Sequence, residues 1–507
     1  MSSVGTPWAT RTFGIELHHL RSHGTVVDSV LPAELPIDTL IQPGLRRNPR
    51  RAHLLVSTVL GKHLPTDPRV VLDAGNRLGD LVRAALGDSV RAARGDSPRA
   101  AQGEPAVETG DRTGVPAVVL GFAETATGLG HTVATRIGAD CYLHSTRRDV
   151  PEAETLTGFE EGHSHATSHL LQPAPAGIFV NDLPLVLVDD EISTGATAID
   201  AVRALHAFAP RSHYVLASLV DMRTEADRAR FEAAAAELGA RIDTVCLASG
   251  QALLPEGLVA AVTALPEPEL NPTAPQRGSV SRLELPWPDS VPEGGRHGIL
   301  GSDGDAFEAA LGVATDILRN RLVAQAPGRP AIVIGHEELM YLPLRLAAGL
   351  ADSGIATRFQ TTTRSPAYVL DEPGYPLRRG FRFTAPESDA EAPRYLYNAH
   401  WEGDPSAEFA TSTTPDGYGE PGTGALGPVP VDPILVVVVD APADTAELVA
   451  DAGLIDVLTA SGADVLVAVL PGADPRKLHA ERSDPLRGAV LEPVDDAGDS
   501  AKNRPVE

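Results

Sequence analysis

Hydrophobic and polar positions alternate along this chain in two registers. Short, mainly apolar runs, 117–121, 185–190 and 214–221, the last two ending in Asp, are each followed by a turn and an amphipathic stretch. Such runs predict parallel strands covered on both faces by helices, with any ligand at the strands' C-terminal ends. Ahead of them the pattern predicts a helix over 52–63, a short strand over 70–73, a turn to Gly79 and a helix over 80–86. Residues 87–114, rich in Gly, Pro, Asp, Arg and Ala without periodicity, read as a flexible insertion.

Pro, Glu and Gly then dominate 266–295, which reads as a linker closing a first domain over 1–265. A second, smaller α/β unit of Rossmann-like pattern is predicted over 296–475. It has helices at 305–326, 338–353 and 448–461, and strands at 331–335, 356–361, 434–440 and 464–470. Residues 386–430 read as irregular and 476–507 as a disordered tail.

Composition narrows the function. With 42 Lys and Arg against 68 Asp and Glu, the formal charge is −26, which argues against sequence-independent binding of nucleic acid. Two cysteines allow no disulfide framework and no thiolate cage. No window reaches the length of a membrane span and no leader-like start is seen, so a cytoplasmic protein without membrane contact is expected.

The chemistry concentrates after the run 185–190. Asp189, Asp190 and Glu191 are followed by Ser193, Thr194, Gly195, Ala196 and Thr197, and then by a helix. Carboxylates accept hydrogen bonds from vicinal sugar hydroxyls. Amides at a helix N-terminus favour a phosphate, and Gly195 allows close approach. The plain alternative is a strand that merely ends in two acids and a cap. No Gly-Lys-Ser/Thr follows the glycine, so this is not a Walker loop.

This segment resembles the phosphoribosyl pyrophosphate (PRPP) signature of type I phosphoribosyltransferases. The resemblance implies an N-terminal parallel sheet with helices on both faces. It also implies PRPP with magnesium as substrate, and transfer to an unidentified base-like acceptor with release of pyrophosphate. A PRPP- or nucleotide-sensing regulator without catalysis is the alternative. In the family's plan the stretch with Ala123, Glu124 and Thr125 takes the place of the pyrophosphate loop, although that loop is commonly more basic or richer in Gly. Arg147 and Arg148 are candidates to neutralise the leaving group, or are two surface arginines.

A narrower resemblance rests on the segments around Arg51, His53, Lys62 and His63 and on the run Glu161-Gly-His163-Ser-His165-Ala-Thr-Ser-His169. They look like the subgroup found beside bacterial tellurite-resistance and stress-response genes. That run could equally form a metal site, a substrate-contacting lid or an exposed loop. In the subgroup a C-terminal domain carries a Thr-Arg-Ser-Pro motif, present here as Thr363-Arg364-Ser365-Pro366. Arg296-His297, Glu337-Glu338 and Gly374-Tyr375 fit the same pattern. Glu337, Glu338, Thr363, Arg364 and Ser365, with Arg296, His297 and Tyr375, are candidates for a second small-molecule site. Ion pairing of Arg364 and helix capping by Glu337 are the alternative. A homodimer is a further possibility.

Overall fold

A computed structural model describes residues 6–24, 29–93, 114–160, 168–387, 392–401 and 432–482. After α1 (Trp8–Phe13) come β1 (Glu16–Ser22), α2 (Ile37–Leu40) and an antiparallel hairpin, β2 (Ile41–Leu45) with β3 (His53–Ser57). The helix expected over 52–63 is thus a strand and a loop. Leu54, Leu55 and Val56 are all buried, and such a run fits a strand packed on both sides.

The strand expected at 70–73 belongs instead to the long helix α3 (Pro68–Ala93). Val71, Ala74, Leu78, Val82 and Leu86 recur every three or four residues and are all buried, so the local apolar run was one edge of a helical stripe. Pro68 opens the helix, where its missing amide costs nothing. Helix α3 therefore takes in residues 87–93 of the expected insertion, whose residues 94–113 lie outside the described ones.

The remaining first-unit elements are β4 (Val118–Gly121), α4 (Thr127–Ile137), β5 (Cys141–His144), the hairpin β6 (Thr157–Glu160) and β7 (Ser168–Leu171), β8 (Leu185–Ile192), α5 (Ala196–Phe208), β9 (His213–Asp221), α6 (Glu225–Leu238), β10 (Arg241–Leu253) and α7 (Leu258–Thr263). The second unit follows with β11 (Val280–Glu284), β12 (Ile299–Leu300), α8 (Gly304–Gln325), β13 (Ala331–Gly335), α9 (Tyr341–Asp352), β14 (Thr357–Thr361), the hairpin β15 (Gly380–Phe383) and β16 (Arg394–Tyr397), β17 (Ile434–Val439), α10 (Leu454–Ala460), β18 (Val465–Val469) and α11 (Pro475–Glu481).

Two sheets organise these elements. The larger has the order β1-β10-β9-β8-β4-β5-β12; its five central strands are parallel and only the two edge strands run antiparallel. The smaller, β11-β18-β17-β13-β14, is parallel throughout. Helices α3 and α4 cover one face of the larger sheet, and α5 and α6 the other. The expected α/β class, with a second α/β unit, is what the structure shows.

The boundary between the units is tighter than composition suggested. The presumed linker contributes β11 to the smaller sheet, while β12, beyond the presumed boundary, closes the edge of the larger one. One buried cluster runs without interruption from α3 and α4 through α9 to the smaller sheet. Residues 476–482 of the expected tail are ordered. After α11, Arg482 donates to the carbonyls of Ala174, His297 and Gly298 and pairs with Asp303 at 2.8 Å. Residues 483–507 lie outside the described ones. No helix among the described residues is long and apolar enough to cross a membrane.

Candidate functional site

Two turns lie side by side because β4 and β8 are neighbours in the parallel sheet. The first follows β8. Its strand buries Leu185 to Val188 and then delivers Asp189, Asp190 and Glu191 half-buried. The Asp190 amide donates to Asp189 Oδ1 at 2.9 Å. Burial, and then the charge of Asp190, push the Asp189 carboxyl well above the usual range. Gly195 stands just before α5 with a φ of 80° that favours glycine, and the Ala196 amide donates to Thr194 Oγ1 at 3.3 Å. The amides of Ser193, Thr194 and Gly195 donate to no protein acceptor among the described residues. Open donors leading into a helix N-terminus suit an anion. Arg51, Phe122, Asp189, Glu191 and Ser193 to Thr197 line a cavity of about 180 Å³.

The second turn follows β4. It begins at Gly121, where a Cβ would stand 2.8 Å from the Ala126 carbonyl oxygen. Ala123 and Glu124 are joined by a cis peptide bond. The Ala123 amide is taken by Ser145 Oγ at 2.9 Å, whereas the amides of Glu124 and Thr125 have no protein acceptor among the described residues. Lys62 Nζ donates to Thr125 Oγ1 at 2.6 Å.

Cations gather around both turns. Arg51 pairs with Glu191 at 2.6 Å, and Arg46, from the same loop, donates to Ser365 Oγ at 3.1 Å. Arg147 Nε reaches the Ala123 carbonyl and its Nη2 donates to His169 Nε2, each at 3.3 Å. An arginine can only donate, so His169 carries its proton on Nδ1 and gives it to Ser145 Oγ at 2.7 Å. The neighbouring Arg148 has a different fate. It is sealed between Glu337 at 3.2 Å, Glu387 and Asp440 at 3.7 Å, so it is neither a surface arginine nor open to a leaving group.

His53 is held neutral, its value lowered to about 4 by burial and by Arg51 and Arg46. His63 is buried beside Lys62 with neither ring nitrogen hydrogen-bonded among the described residues, and burial holds it neutral too. Glu161, His163 and His165 lie outside the described residues.

The five residues expected to build a separate pocket in the second unit do converge, but onto partners rather than a cavity. Glu337, in the left-handed region at φ 49°, binds Arg364 at 2.8 and 3.1 Å and also pairs with Arg148 and Arg394. Glu338 accepts from Thr146 Oγ1 and the Arg147 amide, both at 2.8 Å, and from Arg296 at 3.3 Å. Burial alone would raise the Glu338 carboxyl, yet Arg296 and Arg148 hold it below the usual range. Thr363 Oγ1 donates to Glu124, and the Arg364 amide to both Glu124 oxygens at 2.9 and 3.1 Å.

His297 is buried against the Gln172 carbonyl at 2.9 Å, and the Tyr375 hydroxyl bridges the Leu45 amide and the Tyr368 carbonyl. Both serve packing. His336, Glu337 and Glu387 lie close enough to hold a metal ion, but guanidinium groups already neutralise both carboxylates. Both cysteines are buried, their thiols pushed up to about 12, so thiolate chemistry is absent from them.

Sequence reasoning passed over Arg46, Ser145, Glu387 and Arg394 as site residues. Only Arg46 had a signal, its place in a basic run; the others acquire their roles from partners far away in sequence.

Two amide-lined turns flanking a carboxylate pair fit a sugar with a phosphate at one end and an anionic leaving group at the other. Residues 40–251 match the family described as phosphoribosyl transferase, and residues 293–458 match the TRSP domain that lies C-terminal to it. The chain thus carries a domain of the phosphoribosyl transferase family followed by a TRSP domain. Similar solved structures include adenine phosphoribosyltransferase from Trypanosoma brucei, 15% identical, covering 34% of this chain and 65% of that one at a TM-score of 0.21. The Rhodothermus marinus enzyme is 17% identical, covering 41% of this chain and 94% of that one at a TM-score of 0.25. No curated protein matches the chain.

Proposed function

We propose that the site takes PRPP with magnesium and transfers its phosphoribosyl group to a small base-like acceptor. The 5-phosphate sits on the open amides of 193–195 and the N-terminus of α5, with Arg51 beside it. Asp189 and Asp190 accept from the ribose hydroxyls. Pyrophosphate meets the amides of Glu124 and Thr125, with Lys62 and Arg147 on its flanks. Magnesium, carried in with the substrate, would neutralise phosphate oxygens, and Asp189 and Asp190 are the carboxylates that would face it.

The bond from the anomeric carbon to pyrophosphate breaks, its electron pair leaving with pyrophosphate, and a bond to the acceptor forms. The developing charge on the sugar carbon is favoured by the two carboxylates, and that on the leaving group by Lys62, Arg147 and the amides. The resemblance in sequence supports a cytoplasmic, nucleoside-like stress-response product, with tellurite resistance as its setting.

The observation that carries the reading is the pair of open-amide turns on adjacent strands around Asp189 and Asp190. Replacing both aspartates by Asn should weaken PRPP binding at least tenfold, roughly one lost charge-assisted contact. Calorimetric titration checks this, and unchanged affinity would remove the ribose site from the proposal.

A further inference from the structure

The turn proposed to receive pyrophosphate carries an acid, Glu124, and an acid at that place opposes a diphosphate. Its side chain, however, is nine-tenths buried and turned toward the second unit. There it accepts from the Thr363 hydroxyl and twice from the Arg364 amide, with Arg364 Nε 3.8 Å away. The acceptor geometry is fixed from behind. Thr363 is bridged to Tyr395 in β16, and the Arg364 guanidinium is clasped by Glu337. Ser365 holds Arg46, so three consecutive residues of the second unit each grip the rim of the first unit's site. Lys62 and Arg147 face the turn from other elements, and the sealed Arg148 and Arg394 add positive potential at Glu124.

We infer that Thr363 and Arg364 are positioning residues of the transfer site, a built-in counter-charge that draws the Glu124 carboxylate out of the pyrophosphate turn. On this reading, which rests on the transferase proposal above, the second unit completes the first unit's site. With Glu124 held, the open amides of residues 124 and 125 meet the diphosphate without a competing anion. Freed, the carboxylate swings back among them and repels it.

The test titrates magnesium PRPP, pyrophosphate and ribose 5-phosphate into the full chain by calorimetry, alongside Thr363→Val, Arg364→Met, Glu124→Gln and the pair Glu124→Gln/Arg364→Met. Thr363→Val is nearly isosteric and guards against misfolding. Pyrophosphate binding should weaken at least about tenfold in Thr363→Val and Arg364→Met, with ribose 5-phosphate affinity unchanged. Adding Glu124→Gln to Arg364→Met should restore it. Pyrophosphate affinity in Thr363→Val and Arg364→Met equal to that of the parent chain, or no rescue by Glu124→Gln, overturns the inference. A uniform loss for both ligands also overturns it, since that marks plain structural damage. A parent chain that binds neither PRPP nor pyrophosphate instead removes the transferase reading beneath it.

Discussion

At Asp189 the protein holds a carboxyl in a place that favours its neutral form. Burial comes first among the causes and the Asp190 charge second. A carboxyl whose value is raised on folding binds its proton more tightly in the folded state. Its contribution to stability is therefore complete below the ordinary aspartate range and is lost as pH rises through the raised value. Asp190→Asn removes the like charge, so at neutral pH the variant should be more stable than the parent, by about 1 kcal/mol as for other relieved site residues. The gap should close as pH falls and Asp189 takes up its proton. Urea unfolding at several pH values checks both, and a variant less stable than the parent at neutral pH would contradict the cause assigned here. These two aspartates were legible in the sequence because strand, acids and turn are contiguous. Glu124 was legible only as an anomaly. Its counter-charge lies some 240 residues on, and no local pattern announces a partner at that separation.

The elements divide in the same way. Strands β4, β8, β9, β13, β17 and β18 were plain, since runs apolar on both faces have few other readings. The region before them was misread twice. A buried hairpin strand imitated a helix at 53–57, and a four-residue apolar stretch of α3 imitated a strand. In both cases a short apolar run carries no period of its own, and only the longer stripe through Leu78, Val82 and Leu86 decides. That stripe has a measurable consequence. Leu78 is fully buried in the cluster that α3 shares with α9 and the smaller sheet. Leu78→Ala should cost about 2–5 kcal/mol, and it should lower the stability of both units together. Denaturant titration followed by a probe in each unit checks this; a shift confined to the first unit would mean that the shared core does not couple them.

For the whole molecule, the division expected from composition gives way to interlocking. The presumed linker supplies a strand to the smaller sheet, β12 crosses back to the larger, and Arg482 ties the end of α11 to the first unit. Residues 1–265 expressed alone should therefore lack a cooperative thermal transition, whereas the full chain should unfold in one. Calorimetry of the two decides it, and a truncated chain with a sharp transition of its own would restore the two-domain view. Linkers are called from a lack of periodicity, and a five-residue strand such as β11 is too short to display one. The seam between the units has a further consequence, for descent rather than for stability. Arg148, Arg296, Arg364 and Arg394 are interleaved with Glu124, Glu337, Glu338, Glu387 and Asp440, and most of these side chains are closed off from water. Replacing any one strands a charge that water cannot reach. Lineages of this chain can therefore drift there only by exchanging residues in matched sets, and neither half can be traded for the half of a distant relative without its counterpart.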